Sequence, residues 1–236
     1  MRQLLLPVPA SIVTLLPFLW ITPAVAEDAA LIEPSTWTIK GKRNSNIGFG
    51  DFRMGPYTVE NISGFANSGE TKWSVGGFGR NSQDHQDEIA FDLHQSGQPA
   101  ASMRCSRDLR DSGFNIGDGD GFEIGGISGE KSAVLNCEAS PATADGWTIQ
   151  LASNKASPGF RGILRNGSES LALQPVPGSE STFTSSRSYR ITRQGADVAL
   201  IKRTVAGGAV TIESPITEAE QAVIGAAATL LLLQKE

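Results

Sequence analysis

The sequence predicts an all-β domain: a closed antiparallel barrel of about twelve strands around one buried, hydrophobic C-terminal helix. Three observations predict it. Most of the chain reads as short strands cut by Gly, Asn, Asp, Ser and Pro. The chain ends in AVIGAAATLLLLQKE, where the run from Ala222 to Leu233 is apolar except for Gly225 and Thr229. Just ahead of that run, Thr217-Glu-Ala-Glu220 fits a capping box, in which Thr accepts from a backbone N–H and Glu reaches back to the cap.

The first segment, MRQLLLPVPASIVTLLPFLWITPAVAED, stands apart from the domain. Arg2 supplies a positive start, an apolar stretch follows, and Ala24-Val25-Ala26 is an A-x-A site. Residues 1–26 therefore read as a secretory signal peptide cleaved between Ala26 and Glu27, leaving residues 27–236 as a single domain. Pro7, Pro9 and Pro17 break the stretch and argue against a membrane anchor. The residue after the site is not Cys, so a lipid anchor is not indicated. The expected location is secreted or periplasmic. In such a compartment Cys105 and Cys137, the only two cysteines, are expected to form a disulfide, because the flanks ASMRCS and SAVLNCEA both read as strands.

The formal charge is −5, and loss of Arg2 makes the mature chain more acidic. Nucleic-acid binding rests on clustered Lys and Arg, so nucleic acid is excluded as the expected partner. Lys40-Gly-Lys42-Arg43 is the one local basic knot and reads as a solvated turn.

The strands follow in order. TWTIKG and PYTVENI alternate. Then come KWSVGGF, EIAFDLH, AASMRCS, GFEIGGI, SAVLNCEA and GWTIQLA, followed by FRGILR, ESLALQPV, SYRITRQ, DVALIKR and GAVTIES. Asn166-Gly167 predicts a hairpin turn, as both residues tolerate positive φ. Further turns are expected at Gly195 and at Gly207-Gly208. The polar, Pro-containing stretch from Pro175 to Ser188 reads as a loop joining two strands of the same domain.

The spacing predicts the last element as a helix over 218–233. QAVIGAAATLLLL lacks strand alternation and is rich in Ala and Leu. A transmembrane helix needs ~20 apolar residues, more than this run holds, so no span is expected in the mature chain. A helix lying on a sheet keeps one polar face, and this one keeps none. A helix inside a barrel fits. Small residues at Gly225 and Ala226 to Ala228 let strands approach, and Leu230 to Leu233 fill the wider end. Such a plug turns the lumen into core.

The final meander, YRITRQGADVALIKRTVAGGAVTIESPITEAEQAVIGAAATLLLLQ, resembles the end of tubby-like proteins, the superfamily that includes LURP-one-related proteins and phospholipid scramblases. It is also similar to a group of exported bacterial proteins with a mid-chain Cys pair, and WTIKGKRNSNIGFG to PYTVENI resembles their N-terminal part. The resemblance implies a twelve-stranded barrel around a hydrophobic C-terminal helix. Eukaryotic tubby proteins bind phosphoinositide headgroups on the cytosolic leaflet through basic surface side chains. No such ligand set matches here, and no binding residue is carried over.

Catalytic motifs are sparse. His85 and His94 are the only histidines. His85 lies in the polar run GRNSQDHQDE, read as a solvated loop, and His94 lies at the end of EIAFDLH before a turn at QSGQ. No GxSxG, HExxH or P-loop occurs. Asp118 and Asp120 in NIGDGDGFEIGG offer carboxylates to Ca²⁺, but the twelfth position of an EF-hand register is Gly129, so a Gly/Asp hairpin turn is expected. The sequence reading is a non-catalytic binding module with no metal and no cofactor, acting on an unidentified envelope or extracellular partner. The alternative is a hydrolase-type or metal-dependent enzyme using His85 or His94.

Overall fold

The chain runs β1 (Ser35–Lys40), β2 (Phe52–Met54), β3 (Tyr57–Ser63), β4 (Thr71–Val75), β5 (Phe78–Gln95), β6 (Gln98–Gly117), β7 (Glu123–Pro141), β8 (Trp147–Asn154), β9 (Ser157–Asn166), β10 (Glu169–Pro175), β11 (Arg187–Arg193), β12 (Ala196–Thr204), β13 (Gly207–Ile212) and α1 (Glu218–Leu233). This computed structural model describes residues 31–40, 51–64, 71–75, 78–117, 123–141, 146–154, 156–167, 169–181, 186–204 and 207–234, with the backbone alone at 40, 71–75, 78–87, 109–117, 123–131, 141 and 157.

All strands join one antiparallel sheet in the order β3-β2-β1-β13-β12-β11-β10-β9-β8-β7-β6-β5-β4. Pairing of β3 with β5, from Tyr57↔Gln95 to Ser63↔Ala90, seals it into a closed twelve-stranded barrel. Closure removes the exposed edges that an open sheet would carry. β4 stays outside the ring, paired only with β5.

The wall is built by alternation. Along β8, Trp147, Ile149 and Leu151 are buried while Thr148 and Gln150 are exposed, since successive strand residues face opposite sides. Register then lines the inward residues into belts. One belt runs Ile89↔Cys105↔Cys137↔Ile149↔Leu164↔Leu171 across six strands. Another runs Tyr189↔Ile201↔Val210↔Trp37. Every member of both is buried.

α1 fills the lumen. Residues Glu220 to Leu233 are all buried, so the helix has no solvent face. It approaches β5, β6, β7 and β12 most closely. Its bounds and capping box are those the sequence predicts: Glu220 N–H donates to Thr217 Oγ1 (3.2 Å), and Thr217 N–H donates to Glu220 Oε2 (2.9 Å). Gly225 lies against the Tyr57 ring, where an added Cβ would sit 3.2 Å from two ring carbons. The expected close approach of a strand to the small-residue face occurs there. No described helix is long and apolar enough to cross a membrane.

Two sequence expectations need correction, and one strand was not foreseen. GRNSQDHQDE is not a loop. It lies within β5 and pairs with β6 from Phe78↔Ile116 onward. Segments 78–87, 109–117 and 123–131 extend past the ring, because β3 pairs only with Ala90–Gln95 and β8 only with Ser132–Ala139. A strand with no lumen beside it needs no apolar alternation, so the usual signal is missing. GFEIGGI and SAVLNCEA, read as two strands, form the single strand β7. β2 spans three residues, too short for any periodicity to reveal it.

Two turns shift by register. Asn166 stays in β9, paired with Glu169, and Gly167 takes the positive φ of 50°. Gly207 and Gly208 belong to β13, with Thr204↔Gly207 closing the hairpin. Gly208 is required by proximity, since an added Cβ would fall 2.0 Å from the Lys202 carbonyl oxygen. The turn at Gln194-Gly195 and the one at Ser96-Gly97 form as expected, with φ of 51° and 85°, and 52° and 78°. The stretch after Pro175 is a loop between adjacent strands, held by Ser179 Oγ donating to the Val176 carbonyl (2.7 Å) and by the bridge Ser181↔Ser186.

Candidate functional site

The chemistry available for a site begins with what the sequence singled out. Cys105 and Cys137 form a disulfide, with Cα atoms 3.9 Å apart on directly opposed positions of β6 and β7. Both face inward and are almost fully buried. The bridge thus belongs to the lumen wall, on two of the strands the helix packs against, and the described chain has no free cysteine. Its role is cross-linking rather than surface thiol chemistry.

His94 lies on the outer wall, on β5. Its Nδ1 is 3.6 Å from Glu60 Oε2. Two residues earlier on the same face, Asp92 accepts from Asn61 Nδ2 (2.8 Å) and from the Ser102 hydroxyl. Asn61 reaches it from the bulge between Glu60 and Ser63, where its φ is +54°. The Ser102 hydrogen bond holds the Asp92 carboxyl below its ordinary value. The Asn61 amide adds to this, partial burial opposes it, and the nearby His94 and Arg104 charges contribute less.

This cluster gives Ser, His and acids on one patch, but not the order a nucleophile needs. Ser102 donates to a carboxylate and His94 pairs with Glu60, so the imidazole is not engaged with the hydroxyl. Among the described residues no three His, Cys, Asp or Glu side chains form a group able to hold a metal. His85 falls within β5, opposite Leu109 in register, and its side chain lies outside the described residues. Asp118 and Asp120 also lie outside them, between the paired strand ends Gly117 and Glu123. Ala26 and Glu27 lie outside them too.

The two ends of the lumen carry polar chemistry that the sequence reading did not single out. At the helix N-terminus, Tyr57 Oη donates to Gln221 Oε1 (3.0 Å), and Arg193 pairs with Glu220 (2.5 Å). Burial raises the Tyr57 pKa, and the Glu218 carboxylate raises it further. At the C-terminus the last turn has no basic residue of its own. Strand arginines serve instead: Arg203 Nη2 donates to the Gln234 carbonyl (2.5 Å), and Arg107 Nη1 donates to Gln234 Oε1 (3.4 Å). Cations there offset the negative end of the helix dipole. Local sequence could not show this, because Arg107 and Arg203 come from distant strands.

The outer wall is also segregated by charge. The β9 exterior reads Arg161, Ile163, Arg165; Gln174 on β10 stands between Arg161 and Arg190, and Lys202 follows on β12. The exterior of β3, β5, β6 and β7 instead carries Glu60, Glu88, Asp92, Asp108 and Glu138, with Arg104 of β6 set among them opposite Glu138. Taken together, the helix fills the lumen and the exposed charged side chains lie on the outer wall. No protein-family model, curated protein or solved structure matches the chain.

Proposed function

We propose that this protein is an exported, non-catalytic binding module of tubby-like architecture that acts through its outer wall at the cell envelope or outside the cell. The observation that carries the reading is the buried helix: with Glu220 to Leu233 enclosed on every side, the lumen is occupied by the protein's own side chains. Ligand pockets in barrels ordinarily sit in the lumen or its mouth. Here that space is core, and the exposed chemistry is a patterned exterior.

Export is supported by the A-x-A site at Ala26 and by the disulfide, which persists in oxidising compartments. The tubby-like assignment is supported by the closed twelve-stranded wall around a C-terminal helix. Expression with the first segment intact, followed by intact mass of the exported protein, tests the first point: the expected N-terminus is Glu27. A panel of esterase, phosphatase and glycosidase substrates, with and without divalent metals, tests the non-catalytic reading. Turnover that disappears in His94→Ala or His85→Ala while the melt is unchanged would establish the enzyme alternative instead.

A further inference from the structure

The acidic and basic walls are diametrically opposed. In the twelve-stranded ring, β5 and β11 are six strands apart in either direction. β5 lies within the wall bearing Glu60, Glu88, Asp92, Asp108 and Glu138 against the one cation Arg104; β11 lies within the wall bearing Arg161, Arg165, Arg190 and Lys202 against Glu169 and Asp197, so each wall keeps an excess of one sign among the described residues. On the basic side Arg190 pairs with Asp197 (3.5 Å), while Arg161, Arg165 and Lys202 form no ion pair among the described residues. All three are exposed. Ile163, 40% exposed, sits between the two β9 arginines. The net charge of the chain is negative, so this basic wall is a local reversal and not a reflection of overall composition.

We propose that copies of this chain associate side by side, the acidic wall of one against the basic wall of the next. The second copy is the occupant favoured because the complementary surface is already present on the same molecule. Two different patches meet, so the contact is heterologous; because they lie on opposite sides of the barrel, repetition builds an open file and not a closed pair. Exposed ion pairs contribute little individually and are screened over a Debye length of ~8 Å at physiological salt. The association is therefore weak, concentration-dependent and salt-sensitive. It names a partner for the outer wall but stands apart from the proposed function, since a monomer would still be able to serve as a binding module.

Sedimentation velocity on the exported protein tests the inference. At about 20 mM NaCl, where the Debye length exceeds 20 Å, the weight-average sedimentation coefficient is expected to rise with protein concentration; at about 500 mM it is expected to stay at the monomer value. The double variant Arg161→Glu/Arg165→Glu should be monomeric at low salt, and so should Glu88→Lys/Asp108→Lys. Mixing the two should restore association, because each now supplies what the other lacks. These side chains face outward, so melting should be preserved; if a variant unfolds, the salt series on the unaltered protein decides alone. A monomer at every concentration and salt overturns the inference. So does low-salt association that survives Arg161→Glu/Arg165→Glu. A monomer that binds heparin through the same arginines would replace the second copy with a polyanion.

Discussion

Leu230→Ala tests whether the helix is the core of the barrel. Leu230 is fully buried. The change removes three carbons, and at ~0.8 kcal/mol per buried CH₂ the transfer loss is about 2.4 kcal/mol. A cavity is added to this. Around most core sites neighbours relax inward, but here the surroundings are a closed ring whose strands are fixed by their ladders. If roughly 80 Å³ persists, ~24 cal/mol per Å³ adds about 2 kcal/mol. The expected cost is therefore about 4 kcal/mol, and a protein of this size should melt roughly 8–16 °C lower. Urea and thermal denaturation followed by circular dichroism measure it. Leu31→Ala is the control, since Leu31 is 60% exposed and should change little. A loss of only about 2.4 kcal/mol at Leu230 would mean that the lumen closes around the deletion and the rigid-wall reasoning is wrong; a loss below ~1 kcal/mol would refute the burial of Leu230 itself.

Three further outcomes are expected. The disulfide spans 32 residues, and closing a loop of that length stabilises by ~3–4 kcal/mol in the chain-entropy model, so Cys105→Ala/Cys137→Ala should shift the urea midpoint accordingly; thiol labelling of the native protein at both cysteines would refute the bridge. Tyr57 has its pKa raised above the ordinary value of 10.0, so the folded state holds the phenolic proton more tightly than the unfolded one. The stability this contributes is complete below pH ~10 and falls as pH rises through the folded pKa; Tyr57→Phe should flatten the alkaline limb of a stability–pH curve, and an unchanged limb would refute the assignment. Thr229 is fully buried in the helix and its hydroxyl has no partner among the described residues, so Thr229→Val should raise stability by ~1 kcal/mol, whereas a loss measured by urea unfolding would show that the hydroxyl is satisfied.

What the sequence revealed depended on how local each signal was. The capping box at Thr217 and Glu220 involves residues three apart, and the helix formed where it indicated. Both cysteines sit on alternating strands, Ala101-Met103-Cys105 and Leu135-Cys137-Ala139, so pairing and inward orientation follow from one pattern. Signals that need the third dimension were silent. The polar β5 segment shows no alternation because only its second half lines the lumen. The charge-sorted walls depend on β5 and β11 standing opposite each other, which strand order alone decides. The arginines at the helix C-terminus, Arg107 and Arg203, are unremarkable on their own strands and meet only through the lumen.

The wall is not equally strong around its circumference. β5 and β6 are matched along nearly their whole length, from Phe78↔Ile116 to Gln95↔Gln98, whereas among the described residues the three-residue β2 meets β1 at Ile39↔Met54 and Lys40↔Arg53. A helix sealed inside a ring can be reached by water only if some pair of strands parts. Among the described residues, the β1–β2 contact is where the fewest ladder bonds must break. Spontaneous opening should therefore begin between β1 and β2, and the amides of Ile39 and Met54 should exchange with solvent well before those of Ile149 or Leu164, on the far side of the ring. The rate of that single parting sets how long the apolar helix stays hidden from proteases and from other unfolded chains.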